Sequence, residues 1–291
     1  MGDERVTWRS ADGVETTLLD GDGIDLLWGL EGRGMPEHRF AGDTIAGVDG
    51  EVLRSVRRRR RRVTLPALIV GETRGEIRER LRDLARQLDP MRGAGRLRVT
   101  AYGLDVELVA HYEEGFELEE TLSDGLFAQR ADLTFVAHDP LWRDVTPAVE
   151  TIDVAQPTML PLPPLELAAS AAIGSFTIVN DGDADTYPRI TARGPGRDLR
   201  LRHLDLGLEL DLGGVDVDDG ELIDVDAHPL RQTIELVDAA GERTNLWPSA
   251  STSTVLWPIR RGVQTIEGRF SDTEPGVSNV RLEWQVRRLV A

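Results

Sequence analysis

Only one stretch of this chain shows a clear helical period. Thr73-Arg74-Gly75-Glu76 has the spacing of a capping box, with Thr73 as N-cap and Glu76 reaching back. Ile77, Leu81, Leu84, Ala85 and Leu88 then line one face, while Arg78, Glu79, Arg80, Arg82, Asp83 and Arg86 cover the other. Asp89-Pro90 closes the helix, because a residue before proline is pushed out of helical backbone. Elsewhere the pattern is strand and turn. The chain is therefore predicted to be mainly β, with one short helix packed on a sheet.

Around that helix the N-terminal half reads as strands. Val14 to Leu19 and Ile24 to Trp28 are short strands bounded by Gly-Asp turns, and Gly29 to Gly34 is an exposed loop. Val63 to Val70 is an apolar strand. Gly95 to Tyr102 and Asp105 to Tyr112 form a hairpin across Gly103-Leu104. Glu113 to Glu120 is acidic and partly alternating. Phe127 to Ala137 places Ala131, Leu133, Phe135 and Ala137 on one face, and Asp139-Pro140-Leu141-Trp142 closes the unit with Trp142 as a core plug.

Residues 144–165 are rich in Pro and Thr and read as a joint or an extended edge segment. Strands are expected beyond it at Ser175–Asn180, Arg189–Arg193, Leu199–Leu204, Leu206–Leu212, Glu221–Asp226, Gln232–Val237, Val255–Pro258, Gln264–Phe270 and Val280–Arg288. Many short strands separated by Gly, Asp and Asn turns predict a sandwich or jelly roll. The expected division is 1–143 and 144–291.

Composition removes several function classes. A formal charge of −17 argues against a general nucleic-acid or anionic-membrane binder. With no Cys, disulfides, thiolate metal sites and cysteine nucleophiles are excluded. All 34 basic residues are Arg, so the lysine of a P-loop is missing. The N-terminus has no apolar signal-peptide core, and no apolar run approaches the ~18 residues of a membrane span. The expectation is a soluble protein made in a cytoplasm.

Candidate chemistry is thin. Gly93-Ala94-Gly95 and Gly194-Pro195-Gly196 lack the third glycine and the helix of a dinucleotide fingerprint. The five His (His38, His111, His138, His203, His228) form no metal motif and no close pair along the sequence. Asp181, Asp183 and Asp185 alternate like the start of a calcium loop, but Thr186 replaces its glycine and Ala192 its bidentate Glu. The cluster from Asp216 to Asp226 lacks its closing acid at Ala227; turn chemistry accounts for both. No catalytic, cofactor or metal residue is assigned. Two features remain open. Arg57, Arg58, Arg59, Arg60, Arg61 and Arg62 are either a solvated strand edge or an interface for an acidic partner. Trp247 and Trp257, each before a proline, are either packing residues or the platform of a carbohydrate-binding module that contacts a host surface.

The order of these elements resembles the distal tail protein family of long-tailed bacteriophages. The resemblance rests on Asp89-Pro90, the Gly93-Ala94-Gly95 lead-in, Asp139-Pro140-Leu141-Trp142, Phe176 to Ala184 with Tyr187-Pro188-Arg189-Ile190, and Gly194-Pro195. Ile259 to Ile266 is similar to a later family turn, with its Pro and Asn replaced. The resemblance implies a split-β-barrel-like N-terminal domain with one packed helix, followed by a galectin-like β-sandwich. It also implies a non-enzymatic virion protein without cofactors: a self-associated ring, six-fold as a rule, at the baseplate hub. Such a ring joins the tail tube, with its tape measure, to tail-tip proteins and lets DNA pass. Some members carry inserted carbohydrate-binding modules, but no loop here is long enough to hold one. Synthesis in a bacterial host cytoplasm is expected to precede incorporation into the tail tip.

Overall fold

The computed structural model describes residues 4–19, 23–47, 49–116, 128–153 and 172–291. The acidic stretch beyond Phe116, Phe127, and the Pro-rich segment from 154 lie outside them. Two compact units are present: unit 1 comprises Met1–Val145 with Arg288–Ala291, and unit 2 comprises Thr146–Arg287.

Unit 1 contains β1 (Arg5–Arg9), β2 (Glu15–Leu19), β3 (Ile24–Leu26), β4 (His38–Asp43), β5 (Val52–Arg58), β6 (Arg61–Val70), α1 (Arg74–Leu88), β7 (Gly95–Ala101), β8 (Leu104–Glu114), β9 (Ala128–Ala137) and β10 (Trp142–Asp144). The main sheet runs β2-β1-β7-β8-β9-β6-β3, with β10 pairing to β8, and nearly closes into a barrel. β6 and β9 pair antiparallel over ten residues, Arg61 opposite Ala137 and Val70 opposite Ala128. That register brings Val63, Leu65 and Ala67 against Phe135, Leu133 and Ala131 in the core. α1 buries Ile77, Leu81, Leu84 and Leu88 in the same core, whereas Ala85 is exposed. The Thr73 side chain accepts from the Glu76 N–H at 3.2 Å, and Glu76 accepts from the Glu72 N–H at 2.9 Å. Gly95 is required sterically, since a Cβ there would lie 2.2 Å from the Trp8 ring.

Four strands of unit 1 were not expected from the sequence: β1, β4, β5 and β10, the last running on from the Asp139–Trp142 closure. β1 supplies Val6 and Trp8 to the core, and β4 and β5 form a separate two-stranded ribbon. The hairpin turn sits at Tyr102-Gly103 rather than Gly103-Leu104. Both turn residues have positive φ, 51° and 83°, so Ala101 faces Leu104 across the tight turn.

Unit 2 is a two-sheet sandwich. Its strands are β11 (Ala148–Asp153), β12 (Ala172–Asn180), β13 (Arg189–Arg193), β14 (Gly196–His203), β15 (Leu208–Val217), β16 (Leu222–Asp226), β17 (Thr233–Val237), β18 (Arg243–Asn245), β19 (Gly262–Ser271) and β20 (Asn279–Trp284). One sheet runs β11-β20-β13-β16-β17-β18 and the other β12-β19-β14-β15. Both contribute to one core that includes Ile190, Leu201, Leu210, Val225, Phe270 and Leu282. β15 runs five residues beyond its expected end because the ladder with β14 shifts register at Asp198, which has φ 56°. The expected strand at Val255–Pro258 is absent. That segment touches its neighbours through isolated bridges, Thr254 with Glu209 and Ile259 with Thr186.

The buried Asp224 of β16 receives a bidentate contact from Arg189, at 2.8 and 2.6 Å, and a third from Arg243 at 3.0 Å. The hydrogen bond from Arg189 is the main reason its carboxyl titrates below the usual carboxylate range. A depressed folded-state pKa stabilises above the unfolded value near 4 and loses that contribution as pH falls through the folded one. Asp224→Asn is expected to cost unit 2 about 1–2 kcal/mol at pH 7. It should also flatten the acid limb of stability against pH. A mutant whose acid limb matches the wild type, in urea titrations between pH 2 and 7, would show that Asp224 is not the group involved.

Candidate interaction surface

The six arginines divide into three kinds of position. β5 ends at Arg58 and β6 begins at Arg61, so Arg59 and Arg60 form the link between two strands of different sheets. Successive residues of an extended chain face opposite ways. Arg61 therefore falls in phase with Val63, Leu65, Ala67 and Ile69 and points into unit 1, where it is only 3% exposed. Arg62 falls on the outer face.

Arg61 meets no carboxylate among the described residues. Its Nε donates to the Pro140 carbonyl at 2.6 Å, Nη1 to the carbonyls of Gly32 (2.6 Å) and Gly34, and Nη2 to that of Leu289 at 2.8 Å. The guanidinium also lies 5.7 Å from the centroid of the Trp142 ring, within cation–π range. Burial lowers its pKa to about 10, which leaves it charged at neutral pH. This one side chain pins the loop before β4, the Asp139–Trp142 closure and the last residues of the chain. The read of a surface run is corrected for Arg61: it is an internal clasp.

The outward arginines are partly balanced. Arg62 pairs with Glu113 and Glu114, each at 2.7 Å, and the Glu113 hydrogen bond raises its pKa further. Arg59 lies 3.6 Å from Glu37, and Arg60 lies 3.7 Å from Glu113. Arg39, Arg57 and Arg58 show no ion pair among the described residues. Arg39 sits directly opposite Arg57 in the β4–β5 ladder, and His38 opposite Arg58. Together the run and its neighbours line an open groove of about 890 Å³ with Glu31, Glu37 and Glu114 among its walls.

The other sequence candidates resolve differently. Trp257 is 1% exposed inside the sandwich core, its ring 6.1 Å from that of the buried His203. It offers no face to a sugar, so the proposed platform is corrected to a packing residue. Trp247 opens a 3-10 turn, Trp247–Ser249, and remains 38% exposed. His111 and His138 do approach each other, with ring centroids 6.0 Å apart, because the β8–β9 ladder sets His111 opposite Val136. No group of three metal-ligating side chains occurs among the described residues. Asn180 holds the Asp181–Asp185 turn: Oδ1 accepts from the Gly182 N–H at 3.0 Å, and Nδ2 donates to the Ala184 carbonyl at 3.1 Å. No described helix is long and apolar enough to cross a membrane.

Solved structures match this architecture from end to end. The Dit protein (gp 19.1) of phage SPP1, described as a paradigm of the hub adsorption apparatus in phages infecting Gram-positive hosts, superposes with a TM-score of 0.66. The match covers 97% of this chain and 98% of that one at 17% identity. The chain has the Dit fold. A chain of the phage P2 baseplate in its activated conformation with Ca matches at TM-score 0.56 and 12% identity, covering 99% and 98%. The same baseplate with Sr matches at 0.53 and 12%, covering 94% and 100%. No family model and no curated protein matches the sequence. At such identities the likeness is one of fold, and it agrees with the order of motifs: Asp89-Pro90 ends α1, Gly95 passes under Trp8, and Trp142 plugs the core.

Proposed function

We propose that this chain is a structural, non-enzymatic component of a phage tail: a subunit of the distal ring at the baseplate hub, between tail tube and tail tip. The observation that carries the reading is the full-length match to a Dit hub protein through both units. In this reading unit 1 builds a closed ring, of six copies, and unit 2 projects a sandwich for contact with tail-tip or baseplate proteins. DNA passes through the lumen without being held. A formal charge of −17 suits that task, since a lining with few phosphate contacts releases few counterions and does not bind.

The test is the mass of the native assembly. Native mass spectrometry of the purified protein at micromolar concentration should show a closed oligomer near six times the 32.2 kDa chain. Antibodies to the protein should label the tail tip of the parent virion. A protein that stays monomeric at high concentration, together with unlabelled tips, would sink the reading.

A further inference from the structure

β14 and β15 do not pair evenly. Between Arg197 opposite Asp216 and Leu199 opposite Leu212, the residues Gly213, Gly214 and Val215 face Asp198 alone. Such a bulge bends its strand and re-aims side chains, and Asp198 and Gly214 take positive φ, 56° and 83°, to make it. Beside it an open pocket of about 400 Å³ lies on the outer face of the sheet. Leu199, Leu201, Leu210 and Leu212 point into the core, so Arg200 and Asp211 point out of it, directly opposite each other. Arg269 of β19 is the neighbour of Arg200 on its other side, and Ser249 and Ser251 complete the wall.

The polar groups of this pocket are held in place by the chain itself. Asp211 Oδ1 accepts from the Gly213 N–H at 2.9 Å and from Arg200 Nε at 3.0 Å. Asp198 Oδ1 accepts from the Gly214 N–H at 2.6 Å. The Ser251 N–H donates to the Asp211 carbonyl at 3.0 Å, which ties the turn of Ser249 and Ser251 to β15. A Cβ on Gly213 would come within 3.1 Å of the Arg200 guanidinium, so glycine there keeps that side chain where it is.

The lining itself selects the ligand. No apolar side chain borders the pocket, and an ion of either sign would meet a like charge, Asp198 and Asp211 or Arg200 and Arg269. Carboxylates only accept hydrogen bonds, guanidiniums only donate, and serine hydroxyls do both. Fixed acceptors beside fixed donors suit a molecule whose every polar group does both, which is a hydroxyl. The volume falls in the range of small-molecule sites.

We propose that this pocket on unit 2 binds a neutral polyol, a sugar ring or an open-chain sugar alcohol. Asp198 and Asp211 accept from its hydroxyls, and Arg200, Arg269 and Ser249 donate to them. The lining includes neither Trp247 nor Trp257, so the site is distinct from an aromatic platform. It lies within unit 2 and stands whether or not the chain forms a ring.

Saturation-transfer NMR of the full chain with glucose, galactose, N-acetylglucosamine and sorbitol, each at millimolar concentration, provides the test. At least one should give a saturable response. Arg269→Ala and Ser249→Val, both at exposed positions, should each weaken it by about tenfold while melting as the wild type does. Asp211→Asn should do the same, and the two exposed variants keep the test valid if that protein fails to fold. Wall oligosaccharides that bind more tightly than any single sugar would place the ligand on a cell surface, and equal affinities would indicate a free sugar; either supports the site. No response from any of the four overturns the proposal, as does binding of inorganic phosphate in their place. A response that Arg269→Ala and Ser249→Val leave intact, or that Trp247→Ala alone abolishes, puts the sugar elsewhere and overturns the pocket.

Discussion

Arg61→Met is expected to destabilise unit 1 by about 3–5 kcal/mol, the largest effect of any single exposed-looking residue in the arginine run. Methionine keeps the length of the side chain and its apolar stem but removes all five donors. The carbonyls of Pro140, Gly32, Gly34 and Leu289 then lose a charged partner in a site from which water is excluded. The cation–π contact with Trp142 goes with it. Arg61→Lys should recover only part of the loss, because an ammonium is a compact charge that cannot span four carbonyls arranged around a planar fork. Arg57→Met, on an exposed position, should change stability by no more than about 0.5 kcal/mol. Urea denaturation followed by Trp fluorescence would separate the three. Equal midpoints for Arg61→Met and Arg57→Met would refute the clasp.

Trp257→Ala should cost unit 2 about 3–5 kcal/mol, since a fully enclosed indole leaves a cavity that its neighbours fill only in part. The neighbouring His203 would suffer as well. Its Nε2 lies 2.8 Å from the Gln264 Oε1, and its Nδ1 accepts from the Leu206 N–H at 3.3 Å, so a shifted ring breaks two contacts. Trp247→Ala, on a half-open 3-10 turn, should stay within about 1 kcal/mol. Scanning calorimetry distinguishes these outcomes. Titration with host wall polysaccharide gives an independent check on recognition. Saturable binding that Trp247→Ala abolishes at unchanged melting temperature would restore a glycan role for unit 2.

The reasons for what could and could not be read from the sequence differ along the chain. α1 was legible because its cap, its apolar stripe and its proline stop all depend on residues within a few positions of each other. The β13 boundaries, Arg189–Arg193, were equally local. The β4–β5 ribbon was not, because it buries nothing against the described residues and so lacks the alternating apolar pattern by which strands are found. β18, three exposed polar residues on a sheet edge, escaped for the same reason. Parity could have set Arg61 apart from Arg60 and Arg62, since it shares the phase of Val63, Leu65, Ala67 and Ile69, but not from Arg57 and Arg59, which share that phase and differ only in lying before β6. Its partners could not be read at all, because Gly34 lies 27 residues away and Leu289 lies 228 away. The nearness of His111 and His138 likewise depends on how β8 and β9 align, which no local spacing encodes.

The return of Arg288–Ala291 to unit 1 has a consequence for the order in which this protein can mature. All of unit 2 is synthesised between Val145 and Arg288, so a nascent chain can complete the sandwich while the barrel still lacks its last contacts. Until Leu289 arrives, the Arg61 guanidinium has three of its four carbonyls, and Asp144 waits for the two bonds from Arg288, at 2.6 and 2.7 Å. A loop of this size costs little more to close than one half as long, but contacts so distant in sequence form late. The finished clasp thus closes only after translation has passed Leu289, with the whole of unit 2 already made.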